Sequence, residues 1–146
     1  MYALDTNLLV YAHNTASPFH TKAKMFVEDI MNDRDEEGQL TICRPSQVLM
    51  EFLNVITWHR LDAPLPLSDA TQIVQDYLDT DVTILYSQPT QLDSLLSLLK
   101  SVTTRKKIFD VALAATLQDH GMTGLYTTNT KDFEEFKFLD VKNPLT

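Results

Sequence analysis

Tyr2-Ala3-Leu4-Asp5-Thr6-Asn7-Leu8-Leu9-Val10-Tyr11-Ala12 opens the chain with a short apolar strand, a polar turn and a short helix. The strand runs straight into Asp5, so a carboxylate falls at a strand's carboxyl end. The same unit recurs along the chain. Leu40-Thr41-Ile42-Cys43 reads as a second strand, and Pro45 opens a helix to about His59, where the missing proline N–H costs nothing. Val82 to Tyr86 is a third strand, followed by a helix from Pro89 to Lys100 with leucines at 92, 95, 96 and 99. Asp110 heads an alanine-rich helix that stops at Gly121, a residue suited to a helix C-terminus. Leu125 to Thr128 and Phe138 to Val141 complete the strands. His20 to Asn32 carries Ala23, Phe26, Val27 and Ile30 at helical period, and Ser68 is placed to cap a helix over Asp69 to Leu78. Short apolar strands alternating with helices predict an α/β domain with a mainly parallel sheet. Ligands of such sheets bind outside the carboxyl ends of the strands.

The chain has 146 residues, the size of one domain, expected over 1–146. Its hydrophobic content of 44% is that of a globular protein rather than a disordered one. Apolar runs such as Val111 to Ala115 are far too short to span a bilayer, and no basic segment precedes an apolar one at the N-terminus, so neither a membrane anchor nor a signal peptide is expected. A single cysteine, Cys43, excludes an internal disulfide and fits a reducing compartment, the cytoplasm. A net charge of −8 argues against a general nucleic-acid binder. The charge is segregated, however. Residues 1–99 hold 14 acids and 5 bases, whereas residues 100–146 hold 6 acids and 7 bases. Lys100, Arg105, Lys106 and Lys107 concentrate the basic excess and are candidates for phosphate contacts.

Four polar residues interrupt apolar surroundings. Asp5 is either a helix cap or a site residue. Glu51 lies within Val48-Leu49-Met50-Glu51-Phe52-Leu53-Asn54-Val55-Ile56, a segment apolar on nearly every side and therefore expected to be buried, with Trp58 beyond it assigned to the core. A carboxylate there must be protonated, paired with a base such as Arg44 or Arg60, or bound to a cation. Asp110 follows Ile108-Phe109 at the head of its helix, and Asn129 follows a strand in Thr127-Thr128-Asn129-Thr130-Lys131-Asp132. Asp5, Asp110 and Asn129 belong at one sheet edge, with Glu51 able to reach it from a crossover helix. Two charges about 4 Å apart repel by about 4 kcal/mol at an effective dielectric near 20, and a divalent cation removes that repulsion. All-oxygen ligands select Mg²⁺ or Mn²⁺; zinc is unsupported, because Cys43 is alone and the four histidines lack zinc spacing.

The segments Leu4-Asp5-Thr6-Asn7, Glu51-Phe52, Phe109-Asp110-Val111-Ala112-Leu113-Ala114-Ala115 and Thr127-Thr128-Asn129-Thr130-Lys131-Asp132-Phe133, in this order, resemble the PIN-domain nucleases, and most closely the VapC-like toxins of toxin–antitoxin pairs. The resemblance covers essentially the whole chain. It implies a three-layer α/β/α sandwich and metal-dependent RNA cleavage, by in-line attack of water leaving a 5′-phosphate and a 3′-hydroxyl. It places Asp5, Glu51 and Asp110 at the family's acidic ligand positions, for Mg²⁺ or Mn²⁺. The fourth acidic position falls on Asn129, with Asp132 nearby as a partial substitute. Thr6, Asn7 and Thr127 match positions that steady the acids or bind phosphate oxygens. The resemblance also implies an RNA substrate, a homodimer, and a cognate antitoxin that inserts an arginine among the acids, as a guanidinium suits a carboxylate cluster.

Other readings are weaker or stay open. A haloacid-dehalogenase-like phosphatase needs a second aspartate two residues after the first, and Asn7 stands there. No glycine-rich phosphate loop is present. A PIN nuclease of RNA processing or decay, or a PIN-like module without activity, shares the same motifs.

Overall fold

Five strands of three or four residues form one sheet, and the first three are each followed by helices that leave from their carboxyl ends. The computed structural model describes residues 1–146. In chain order the elements are β1 (Tyr2–Leu4), α1 (Thr6–His13), α2 (His20–Ile30), β2 (Ile42–Pro45), α3 (Ser46–Ile56), α4 (Leu67–Leu78), β3 (Thr83–Leu85), α5 (Gln91–Leu99), α6 (Ile108–Asp119), β4 (Gly124–Tyr126), a 3-10 turn (Thr130–Phe133) and β5 (Asp140–Lys142). The sheet order is β3-β2-β1-β4-β5, and every neighbouring pair is parallel. β1 is therefore central. Tyr2 stands opposite Ile42 on one side and Gly124 on the other.

Alternation along the strands divides the core between two layers. Ala3, Cys43 and Leu125 face the layer of α5 and α6, with Leu98, Val111, Leu113, Ala114 and Leu117. Leu4 and Ile42 face the opposite layer, with Leu8, Leu9, Leu49, Phe52, Ile56 and Ala70 from α1, α3 and α4. The result is the expected α/β/α sandwich, with a sheet that is wholly rather than mainly parallel. Residues Val111 to Leu117 are buried on every side of α6, which explains why its sequence is apolar without interruption. The register is locked at Gly124, where an added Cβ would stand 2.6 Å from the Tyr2 ring. That ring stacks on Tyr126 at 4.5 Å between centroids.

Several boundaries differ from the sequence expectation. Pro45 ends β2 and caps α3 rather than entering the helix. Ser68 lies inside α4, because Pro66, with φ −58° and ψ 148°, already supplies the extended residue before the helix. Asp110 is the third residue of α6, and Lys107 is its cap. Gly121 ends its helix as expected, in the left-handed region at φ 67°. Trp58 is 51% exposed, not core, because α3 has ended before it. Helix α3 is itself buried on one face only: Val48, Leu49, Phe52 and Ile56 are inside, while Met50 is 62% exposed. Arg44 is fully buried in β2, with its guanidinium carbon 4.0 Å from the centroid of the Tyr77 ring and no carboxylate partner.

Candidate active site

The carboxyl end of the central strand delivers Asp5 into a cleft of about 600 Å³. Asp5 caps α1 and also lines this cleft. Its extended backbone (φ −79°, ψ 162°) starts α1, and its Oδ1 accepts the Thr6 N–H at 2.8 Å. Its Oδ2 accepts the hydroxyl of Thr127 at 2.8 Å. Thr127 is fully buried directly after β4, the strand beside β1. The same hydroxyl receives the Asn129 N–H at 3.0 Å and the Asn7 amide at 3.4 Å. Asn7 closes the loop by accepting the Thr128 N–H at 3.4 Å. One hydroxyl thus ties β1, α1 and the loop after β4 into a single polar seam.

Glu51 reaches the cleft from α3. It is half-buried and pairs with neither Arg44 nor Arg60. Thr6 Oγ1 donates to its Oε2 at 2.9 Å, and Gln47, one helical turn earlier, donates to its Oε1 at 3.3 Å. The Gln47 amide also donates to the Phe109 carbonyl at 2.7 Å, so it fastens α3 to the first turn of α6. Sequence reading missed Gln47. Its spacing of four residues from Glu51 on one helix face was the available signal.

Asp110 faces the same cleft from α6. Burial, then the charges of Asp5 and Asp132, and less strongly Glu51, push its carboxyl up to about 6, against an opposing pull from Lys107. Asp5 is raised too. Burial is the main cause; the hydrogen bonds from Thr127 and Thr6 oppose it, while Glu51 and Asp132 add to it. Four acids therefore share one electrostatic neighbourhood. Asn129 caps the 3-10 turn and lines the cleft without charge, whereas Asp132 lines an adjoining depression with Asn129 and acts on the acids through its field.

The basic residues separate. Lys107 is exposed and lines the acidic cleft. Lys107 also borders another recess, lined by Arg105 and Lys106, neither of which reaches the acidic cleft; Lys106 turns inward, its Nζ 3.7 Å from Glu135 with only 11% of the side chain exposed. Lys100 caps the far end of α5. Phe109, also missed as a site residue, lines the cleft and is 70% exposed.

No three acidic, histidine or cysteine side chains stand close enough together to make a ready-formed metal cage. The donor set nevertheless fits a hard, hydrated cation. Mg²⁺ keeps several waters and takes one or two carboxylates from a protein. Three carboxylates facing one open cleft, with two held above their ordinary range, meet that requirement.

A family model, "PIN domain", matches residues 2–139. Ribonuclease VapC33 of Mycobacterium tuberculosis is 33% identical over 141 residues, covering 94% of this chain and 92% of that protein. Ribonuclease VapC24 of the same organism is 28% identical over 148 residues, covering 100% of this chain and 98% of its own. Among solved structures, M. tuberculosis VapC20, a sarcin–ricin loop cleaving toxin, superposes with a TM-score of 0.65 at 14% identity, over 94% of each chain. A toxin–antitoxin complex from Klebsiella pneumoniae also gives 0.65, at 19% identity, over 99% of this chain and 98% of that one. The family match over nearly the whole length, together with acids carried by β1, α3 and α6 into one cleft, makes this chain a member of the PIN-domain family.

Proposed function

We propose that this chain is a metal-dependent endoribonuclease of the VapC type and the toxin of a toxin–antitoxin pair. The observation that carries the reading is the joint presence of Asp5, Glu51 and Asp110 on one cleft, in a chain similar over its whole length to VapC ribonucleases. Asp5 and Asp110 would hold Mg²⁺ or Mn²⁺, with Glu51 contacting it directly or through water. When bound, such an ion supplies charge neutralisation at the scissile phosphate and a more acidic water for in-line attack.

The chain's own residues prepare that chemistry. Thr127 and the Thr6 N–H hold both oxygens of Asp5 and fix its plane. Thr6 and Gln47 do the same for Glu51. Lys107 offers a cation at the lip of the cleft for a phosphate of the RNA. The uncharged Asn129 leaves the site suited to one tightly held ion rather than two.

A small antitoxin is the expected partner, since a carboxylate-lined cleft attracts a guanidinium as it attracts a metal. A homodimer and a cytoplasmic setting complete the reading. No helix is long and apolar enough to cross a membrane.

The test is cleavage of single-stranded RNA in Mg²⁺ or Mn²⁺, in EDTA, and with Asp5→Asn and Asp110→Asn. Loss of cleavage by at least about a hundredfold is expected in EDTA and in each variant. Undiminished cleavage in the variants would overturn the assignment. Growth arrest on expression, relieved by a co-expressed neighbouring small protein, tests the toxin role; arrest-free expression of an active nuclease would point to RNA processing instead.

A further inference from the structure

The acid-lined cleft does not end at the acids. A second recess of about 450 Å³ adjoins it, lined by Gln47, Met50, Glu51, Asn54, Val55 and Phe109. Glu51, Val55 and Phe109 line both, so the two spaces share a wall. The recess is apolar where an aromatic ligand would need it. Phe109 is 70% exposed and Met50 is 62% exposed, although both sit on helices whose other faces are in the core. It is polar at its edge, where the exposed Asn54 presents its amide and Gln47, whose N–H groups are engaged by Glu51 and the Phe109 carbonyl, its carbonyl oxygen. Phe109 is also anchored. Its carbonyl accepts the Gln47 amide at 2.7 Å, so the first turn of α6 is held while the ring stays free.

We propose that this recess is a nucleobase subsite, in which Phe109 stacks on a base next to the scissile phosphate and the Asn54 amide and the Gln47 carbonyl oxygen meet its edge. The inference rests on the ribonuclease reading above. Single-stranded RNA is bound by stacking unpaired bases on aromatic side chains and hydrogen-bonding their edges. A phosphodiester seated at Asp5 and Asp110, with Lys107 beside it, brings an adjacent base to the mouth of the recess. Every base has an aromatic face, so the ring alone confers affinity, and the amides add preference among bases.

The experiment uses a short single-stranded RNA with one mapped cleavage site. It is compared with otherwise identical RNAs carrying an abasic residue on either side of the scissile phosphate. Both kcat/KM with metal and binding by fluorescence anisotropy in EDTA are read, for wild type and for Phe109→Ala, Phe109→Leu and Phe109→Trp. In wild type, one abasic position should lower kcat/KM or affinity by about tenfold to a hundredfold. That penalty should collapse in Phe109→Ala and Phe109→Leu and return in Phe109→Trp. An equal penalty in wild type and Phe109→Ala overturns the subsite. So does a Phe109→Ala defect of the same size on intact and abasic RNA, which would mean that the ring acts on the acids or the fold. Restoration by Phe109→Leu assigns the recess to apolar protein contacts and overturns it as well, as does conversion of a dimer to a monomer by Phe109→Ala with the abasic penalty unchanged. If wild type cuts no RNA, the ribonuclease reading falls, and the binding penalties alone decide the subsite.

Discussion

Asp110 should destabilise the metal-free protein, and removing its charge should reverse the effect. Its carboxyl is pushed from 3.8 to about 6 by burial and by Asp5 and Asp132, and the only opposing charge is that of Lys107. A move of that size corresponds to about 3 kcal/mol at neutral pH. The side chain is partly exposed, and solvent screening reduces the figure to about 1–2 kcal/mol. Asp110→Asn keeps the shape and removes the charge. In EDTA at pH 7.5 it should raise Tm by about 3–6 °C for a domain of this size. The sign comes from linkage: a carboxyl whose folded pKa is raised holds its proton longer in the folded state than in the unfolded one. The cost is absent below about pH 4, grows between about pH 4 and 6, and is complete above that. The Tm difference should track the same curve in scanning calorimetry from pH 3.5 to 8. Saturating Mg²⁺ or Mn²⁺ should then raise the wild-type Tm and leave the variant nearly unmoved. A variant no more stable than wild type at pH 7.5 in EDTA, or a difference that ignores pH, would refute this account of the charge cluster.

Gly124→Ala should lose about 1–3 kcal/mol in urea unfolding, because its Cβ would meet the Tyr2 ring at 2.6 Å in the middle of the sheet; an unchanged midpoint would mean that the ring moves freely. Arg44→Met should be within about 1 kcal/mol of wild type or more stable, since the buried guanidinium has Tyr77 and Met31 as neighbours and leaves Nε and Nη1 without partners. A loss above about 3 kcal/mol would show that the cation–π contact outweighs desolvation. Lys107→Ala should flatten the salt dependence of RNA binding by about one phosphate contact, and Lys106→Ala should leave the slope alone, because Lys106 is turned toward Glu135. Equal effects would place both lysines on the RNA.

Much of the site is readable from the sequence where local pattern and site chemistry coincide. Asp5, Glu51 and Asp110 each break an apolar segment, and the parallel sheet brings them to one cleft. Asn129 is legible from its place just beyond a strand end, whereas Asn7 and Thr127 are legible only through the family resemblance. The failures share a physical cause. Hydrophobicity alone assigns Trp58 to the core and leaves Phe109 out of the site, yet both are exposed, because exposure depends on which helix face the neighbouring elements leave uncovered. Lys106 and Lys107 are adjacent and chemically identical; only the rotation at the start of α6 sends one toward Glu135 and the other toward the acids. For Glu51 the sequence leaves protonation, an arginine partner or a cation open, and the two arginines fall away because Thr6 and Gln47 supply neutral donors instead. Nothing in the pattern of β2 marks Arg44 as a cation that lies under a tyrosine ring.

The bond between Thr127 and Asp5 joins residues 122 positions apart. During synthesis, Asp5 emerges first and its partner near the end. A nascent chain that stops short of β4 has its leading acid but neither the hydroxyl that orients it nor the central strand's second neighbour. The cleft is therefore assembled late, and a truncated chain cannot carry a partly working version of it. On the ribonuclease reading proposed above, harm is deferred until the message that encodes the chain has been almost completely read.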